Sequence, residues 1–535
     1  MAGHTTTQLA SARRFLTPAL LLLLALLLRI PSIGQPLVGV FATKNVVYAM
    51  IARNWIAGHA PCWCPTLDVL VDGQRSWHLV ELPVSAYLAG GLWALLGGSL
   101  DVWGRLVSIA FSLVGVAALY ALLLRWHGRT VATLGAALLG IAPVSVVYGQ
   151  KFMLEPSVAA LSILALYTAE RWFDSRRLGW LAALLVSLAL LLLTKCYMAV
   201  IVLPLGARLL QTLRRDRCAA TPTNDWRLFA ATSAAVALAA FPAALWYTWA
   251  YTAAAPGETL SPPLFFSVRD SAATHPLPSP LLWDPAFYAR WLRDVATIGL
   301  TPVGFVLFAV GLVQREARQH LPWLAASLLL VVLLPRKFHE MNYYFLVILP
   351  PLCAVAALGW QRLSERWRPS RLAVIGVAAA LMLPALRYSA SPSYLVPEED
   401  RTVTKAAAAV RPLLTPDEPV ATMHGTTIDL LYYCGHPGWA VAPDRDDLTV
   451  RLGECRRQGA RLLVVAGLSW QQRHAPCRRL LDTLEPVATG DDYAVYRLPE
   501  VDVLTSDAAR RKSTDDATKA SAVAHLSSGL LSPER

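Results

Sequence analysis

The chain reads as an α-helical polytopic membrane protein of about eleven transmembrane helices, followed by a small α/β domain on the external side. Three observations predict this class. Hydrophobic residues make up 55% of the 535 and charged residues only 16%, with a mean hydropathy of +0.45; a soluble globule carries about a quarter charged residues and does not sustain apolar runs from end to end. Lysine and arginine gather in short connections between the apolar runs, as they do in cytoplasmic loops. From about residue 392 the pattern changes to short β-like runs alternating with polar helical stretches. The net charge of +12 is therefore a topology signal, and nucleic acid is not an expected partner.

Taken in order, Arg13-Arg14 precede an apolar run from Phe15 to Leu28 that is closed by Arg29-Ile30-Pro31. No small-residue cleavage site follows, so this is an uncleaved first span running outward. Residues 34–102 form a first external loop, in which Asn45 to Trp55 predict an amphipathic helix lying in the membrane interface. The segment Leu82 to Gly98 contains Pro83 and is short for a span. If it crossed, the clusters Arg125/Arg129, Arg171/Arg176/Arg177, Arg214/Arg215/Arg217, Arg315/Arg318 and Arg362/Arg366/Arg368/Arg371 would nearly all fall outside, so it is placed at the outer face. The spans then centre near residues 22, 114, 139, 164, 185, 204, 238, 306, 328, 351 and 379. Only Thr194-Lys195-Cys196 separates the fifth from the sixth. The second external loop, 251–297, is long enough for a lid or binding loop. An odd number of spans puts the α/β domain, 391–500, outside; 501–535 has the composition of a disordered tail. No internal repeat and no Gly-rich phosphate loop is present, so no nucleotide is expected. The eight cysteines lack zinc-ligand spacing; Cys62/Cys64 and Cys434, Cys455 and Cys477 would suit an oxidising compartment.

With this topology Asp68, Asp72, His78, Glu81, Lys151, Glu155, Lys195, Arg336, Lys337, His339, Tyr343 and Tyr344 all fall at outer span ends or in external loops. Carboxylates and cations at one membrane face suit transfer of a sugar from a lipid-linked phosphate, which needs cations for the departing phosphate and a carboxylate to take a proton from the incoming hydroxyl. The stretch Tyr148 to Pro156 offers both, in Lys151 and Glu155. Glu155 is the first candidate base, kept ionised by Lys151 if the intervening turn is helical, and Glu81 is the second. Lys151, Lys195, Arg336 and Lys337 are candidate phosphate ligands; Asp68, His78, His339, Tyr343 and Tyr344 are candidate substrate ligands. Structural roles stand beside each: a carboxylate before proline also starts helices, and Arg, Lys and Tyr at span ends also serve as interfacial anchors.

The order of these motifs resembles the GT-C superfamily of polyprenyl-phosphate-dependent glycosyltransferases, in particular bacterial family-39-like members related to protein O-mannosyltransferases and lipid A aminoarabinose transferases. The resemblance covers roughly residues 10–390 and rests on Tyr48-Ala49-Met50-Ile51-Ala52-Arg53, Glu81-Leu82-Pro83, Gly149 through Glu155-Pro156, Leu192 through Lys195, and His339 with Tyr343-Tyr344. It implies a multi-pass enzyme of the bacterial inner membrane that moves a sugar from a polyprenyl-phosphate carrier to a glycan, lipid or protein acceptor at the outer face, without cofactor or metal. One departure stands out: where the family commonly carries Asp-Glu before the loop helix as base, this chain has Lys44-Asn45. Either Glu81 or Glu155 then takes that role, or transfer has been lost. Gln150 likewise stands where relatives tend to have arginine. Two other classes remain open at this point: a transporter or flippase of a lipid-linked or anionic solute, which would show paired broken helices with midplane charges, and a non-catalytic membrane scaffold.

Overall fold

The computed structural model describes residues 16–218, 225–253, 278–392 and 394–500. Arg13-Arg14, most of the 251–297 loop and the 501–535 tail lie outside the described residues. Helix α1 (Leu16–Ser32) leads through a turn at Gly39 into α2 (Ala42–Ile56), and a hairpin follows, β1 (Thr66–Val71) and β2 (Gln74–Trp77). Asp72 and Gly73 both have positive φ, 50° and 75°, the conformation a tight hairpin turn demands, so Asp72 is a turn residue. Next come α3 (Val84–Leu96), α4 (Leu100–His127), α5 (Arg129–Ile141), α6 (Pro143–Tyr148), α7 (Glu155–Ser175) and α8 (Leu178–Thr194). A 3-10 turn, Cys196–Ile201, joins α8 to α9 (Val202–Arg217), and α10 (Asp225–Ala253) follows.

Beyond the second loop lie α11 (Pro285–Asp294), α12 (Thr301–Leu312), α13 (Leu321–Leu333), α14 (Pro335–Glu340), a 3-10 turn Asn342–Tyr344, α15 (Phe345–Trp367) and α16 (Arg371–Ser389). Every one of the expected span centres falls inside a helix. Among the described residues five helices are long and apolar enough to cross a bilayer, and the pair Pro285–Gly299 and Thr301–Leu312 is bent by 110°. The chain is a multi-pass membrane protein. Helix α3 has 13 residues, which at about 1.5 Å each is short of a ~30 Å hydrocarbon core. Helix α15 is the buried centre, and it approaches α12 closely because Gly359 faces the Leu307 carbonyl and Gly311 the Val355 carbonyl; a methyl group at either would collide with backbone.

Helix α2 differs from expectation. Val46 through Ala52 are all buried, so the helix is enclosed and does not lie in the interface. The reason is its sequence, Val-Val-Tyr-Ala-Met-Ile-Ala, which is apolar all round and must be covered on every side. The cover comes from α3, β1 and α4 and, on the remaining side, from α18 of the C-terminal part of the chain, whose elements are α17 (Thr402–Val410), β3 (Val420–Met423), α18 (Asp429–Cys434), β4 (Gly438–Ala440), α19 (Leu448–Arg457), β5 (Leu462–Ala466), α20 (Leu468–Gln471), α21 (Ala475–Leu481), β6 (Pro486–Gly490) and β7 (Tyr493–Arg497). The sheet has seven strands in the order β2-β1-β4-β3-β5-β7-β6, so the first-loop hairpin extends the C-terminal sheet, with Val69 opposite Gly438 in a parallel pair. One face carries α17 and α18 in a core shared with α2; the other carries α19 and α21 in a core of its own. Arg53 ties the two parts further, donating to the Tyr432 carbonyl at 2.9 Å, while Tyr432 and Tyr433 both donate to Asp101 at 2.6 Å.

Candidate active site

The junction of these parts carries a buried group of charges. After β2 the chain runs through His78 to Pro83, and Leu82 N–H donates to Leu193 O at 3.3 Å, which sets Glu81 against the end of α8. There Lys195 stands in extended conformation, φ −150° and ψ 102°, between α8 and the 3-10 turn. Its ammonium donates to Glu81 Oε2. Lys44, in the first turn of α2, donates to Glu81 Oε1 at 3.3 Å, and Tyr48, one turn later, donates to the same oxygen. The carboxylate is only 3% exposed. Burial works against its charge, but Lys195 and Lys44, with His78 beyond, hold its carboxyl well below the usual carboxylate range. Burial likewise opposes the charge of Lys44, and Glu81 more than offsets it, raising the ammonium well above its ordinary value.

Glu155 faces the same charges without sharing their bonds. It opens α7, is fully buried, and neither of its carboxylate oxygens has a hydrogen-bond partner among the described residues. Its charge acts on Lys44 and Lys195, and on the hydroxyls of Tyr197, Tyr343 and Tyr344. The tyrosines form a wall: Tyr343 and Tyr344 stack at 5.0 Å, Tyr197 lies 6.2 Å from Tyr344, and Phe41 meets Tyr343 edge-on at 5.0 Å. Lys44 lies over the Tyr48 and Tyr343 rings at 5.2 and 5.9 Å. A buried group of ammonium charges beside a carboxylate with no hydrogen-bond partner among the described residues can neutralise an anionic leaving group and accept a proton.

Residues 81–247, an interval holding Glu81, Lys151, Glu155 and Lys195, match the family model described as dolichyl-phosphate-mannose-protein mannosyltransferase. The chain is similar in structure to ArnT from Cupriavidus metallidurans bound to undecaprenyl phosphate, with TM-score 0.60 and 18% identity over 90% of this chain and 98% of that one. This is a GT-C fold. The oligosaccharyltransferase of Archaeoglobus fulgidus in its apo form also matches, with TM-score 0.56 and 12% identity over 84% of this chain and 69% of that one. The archaeal enzyme AglB of that organism, in complex with an inhibitory peptide and a dolichol-phosphate, gives TM-score 0.51 and 13% identity over the same shares. No curated protein sequence matches significantly.

Within this fold the remaining sequence candidates separate. Lys151 does not lie a helical turn from Glu155: residues 151–154 form a bend, and Lys151 Nζ turns to the Val40 carbonyl at 2.7 Å. Burial, and then the neighbouring Arg105, pull its ammonium down to about 7. Lys337 is pulled down to about 8 by burial and then by Lys44 and Lys195, which places it beside the cluster. Arg336 instead pairs with Glu340 at 2.7 Å, and both side chains are largely exposed. His339 packs against Phe287 at 6.2 Å. Asp68, on β1, is buried against Arg53 at 2.6 Å and Arg75 at 3.3 Å and fastens α2 to the hairpin. His78 is buried and acts electrostatically on Glu81.

Sequence reasoning missed Tyr48 and Tyr197, treated Lys44 only as a departure, and overlooked Arg105. The last had a signal, an arginine one turn into a long apolar helix. It donates to Gln150 Oε1 at 2.5 Å and to the carbonyls of Gln35 and Pro36, fixing the chain just before α2. All eight cysteines are free, and among the described residues no three His, Cys, Asp or Glu side chains converge on a metal-sized site.

Proposed function

We propose that this chain transfers a sugar from a polyprenyl-phosphate carrier to an acceptor hydroxyl at the outer face of the bacterial inner membrane, with Glu155 as the base and Lys195, Lys44 and Lys337 meeting the departing phosphate. The observation that carries this reading is Glu155 itself: a buried carboxylate whose two oxygens have no hydrogen-bond partner among the described residues and whose charge acts on Lys44 and Lys195. The family match over residues 81–247 and the GT-C fold support the reaction class. The ArnT match was bound to undecaprenyl phosphate and the AglB match to a dolichol-phosphate, which supports a carrier of that kind here.

In the reaction the acceptor oxygen bonds to the anomeric carbon and its proton passes to a Glu155 oxygen. The bond from that carbon to the phosphate oxygen breaks, and the electron pair leaves with the polyprenyl phosphate. Glu81 keeps Lys44 and Lys195 charged and aimed. The ammonium groups also repel a divalent cation, so transfer proceeds without metal. A positioned base contributes about 10²–10⁴-fold. The test is a reconstituted assay of polyprenyl-phosphate release from a polyprenyl-phosphate sugar. Glu155→Gln is expected to lower kcat by about that factor with donor binding retained, and Lys195→Ala to weaken donor binding. Transfer at the parent rate by Glu155→Gln, with loss in Glu81→Gln, would hand the role to Glu81; indifference to both would end the carboxylate-base reading. Placement at the outer face is tested by labelling Asp72→Cys and Arg473→Cys with an impermeant reagent in a cysteine-free background. The lipid and glycan profile of a deletion strain names the sugar, hexose or pentose, and the acceptor.

A further inference from the structure

The C-terminal domain holds a second polar site. Strands β3 and β5 are parallel neighbours, with Ala421 opposite Leu463 and Met423 opposite Val465. The helices that follow them lie on opposite faces, α18 in the core shared with α2 and α21 in the core with α19. Where neighbouring parallel strands send their connections to opposite faces, a crevice opens at their carboxyl ends, the usual ligand position in such sheets. His424 directly follows β3 here and Gly467 directly follows β5.

Polar groups gather at this end of the sheet. His424 Nδ1 lies 2.9 Å from Asp429 Oδ1 and 3.2 Å from Thr427 Oγ1. Asp429 is fully buried, and its Oδ2 has no hydrogen-bond partner among the described residues. Its Oδ1 also accepts from Leu430 N–H at 2.9 Å and from the Thr427 hydroxyl at 2.5 Å, which start the helix, whereas leaving Oδ2 unmet costs about 1–3 kcal/mol. When Asp429 accepts from Nδ1–H, the imidazole presents Nε2 as an acceptor, the arrangement that fixes a histidine for use. Gln471 bridges the two loops, accepting from Gly425 N–H at 3.3 Å and donating to Ala466 O at 3.0 Å. Trp470, 45% exposed, stands at the rim over Gly425. Asp400 and Asp492 add carboxylates whose charges reach His424.

Asp400 also approaches the first loop. Asp400 sits against Gly39, where a Cβ would lie 3.1 Å from its Oδ2, and Gly39 has φ +81°. The next residue, Val40, is the one whose carbonyl holds Lys151, and Phe41 beyond it meets Tyr343. We propose that this crevice binds a saccharide unit, one hydroxyl meeting His424 Nε2, the buried Asp429 oxygen reached only through a carried water, and its apolar ring face lying on Trp470. That the saccharide belongs to the acceptor rests on the transfer reading above; the binding itself does not.

The experiment uses the full chain in nanodiscs and saturation-transfer NMR with methyl glycosides of hexoses, N-acetylhexosamines and pentoses, and separately with choline and putrescine. At least one glycoside is expected to give signal, and Trp470→Ala and His424→Gln each to weaken it about tenfold or more, while polyprenyl-phosphate binding on the same samples stays unchanged. Trp470 is exposed, so its replacement leaves the fold intact. Silence of every glycoside, signal from the amines alone, or glycoside binding undiminished in both variants overturns the proposal. Polyprenyl-phosphate binding that survives Lys195→Ala and Lys44→Ala counts against the transfer reading alone and leaves the saccharide result standing.

Discussion

Glu81 and Glu155 both act on the charges of Lys44 and Lys195, yet their replacement by glutamine should move stability in different directions. Glu81 takes donors from two ammonium groups and one phenol, and Lys195 is 4% exposed beside it. Removing one partner of a buried pair leaves the other charge stranded, at a cost of about 3–5 kcal/mol. Among the described residues Glu155 takes no hydrogen bond at either oxygen. A buried polar group left unmet costs about 1–3 kcal/mol, so a neutral amide there should leave stability unchanged or raise it within that range. The pH dependence follows from the direction of the Glu81 shift. Its carboxyl is held below the unfolded value, so its contribution is complete above the unfolded pKa of about 4.3 and declines as pH falls from there toward the folded value. The gap between the parent and Glu81→Gln should therefore be full at pH 7 and narrow on acidification. Thermal unfolding followed by tryptophan fluorescence in one detergent, at pH 7 and at pH 4, measures both. A Glu81→Gln protein as stable as the parent at pH 7, or a Glu155→Gln protein destabilised as much as Glu81→Gln, would refute the reasoning.

Lys151 is depressed to about 7, so the folded chain binds fewer protons than the unfolded one between about pH 7 and 10.4, and stability should rise with pH through that window. Lys151→Met should flatten the rise in Tm between pH 7 and 9. Asp68→Asn breaks the link of Arg53 and Arg75 to the hairpin and should lower stability by about 3–5 kcal/mol with kcat per folded molecule nearly unchanged, as read by unfolding and turnover on the same samples. Gly359→Leu pushes a side chain into the Leu307 backbone and should destabilise by about 1–3 kcal/mol or more, whereas Gly376→Leu, with open space around it, should not. Chelation with EDTA should leave the transfer rate unchanged; its loss and recovery with a divalent cation would overturn the role given to the lysines.

The sequence by itself determined what depends on local composition. Apolar runs of spanning length, their basic connections and the change to β-like runs near residue 392 were enough to place helices at every expected centre and a sheet at the C-terminus, because burial in lipid and strand alternation are written residue by residue. It also singled out Glu81, Glu155, Lys195 and Tyr343-Tyr344, since ionisable groups at span ends stand out against an apolar background. What the sequence could not supply was the pairing of residues distant along the chain. Lys44 looked like a lost base, and only its approach to Glu81, 37 residues away, makes it part of an ion cluster. Lys151 looked like the partner of Glu155, until a bend in the backbone sent it to Val40. The first-loop hairpin joined the C-terminal sheet because edge strands are completed by whichever partner the fold brings alongside, here β4 beside β1, and that choice carries no local signature. A carboxylate's partners are likewise set by which side chains share its cavity, so the contrast between a bonded Glu81 and an unbonded Glu155 exists only in three dimensions.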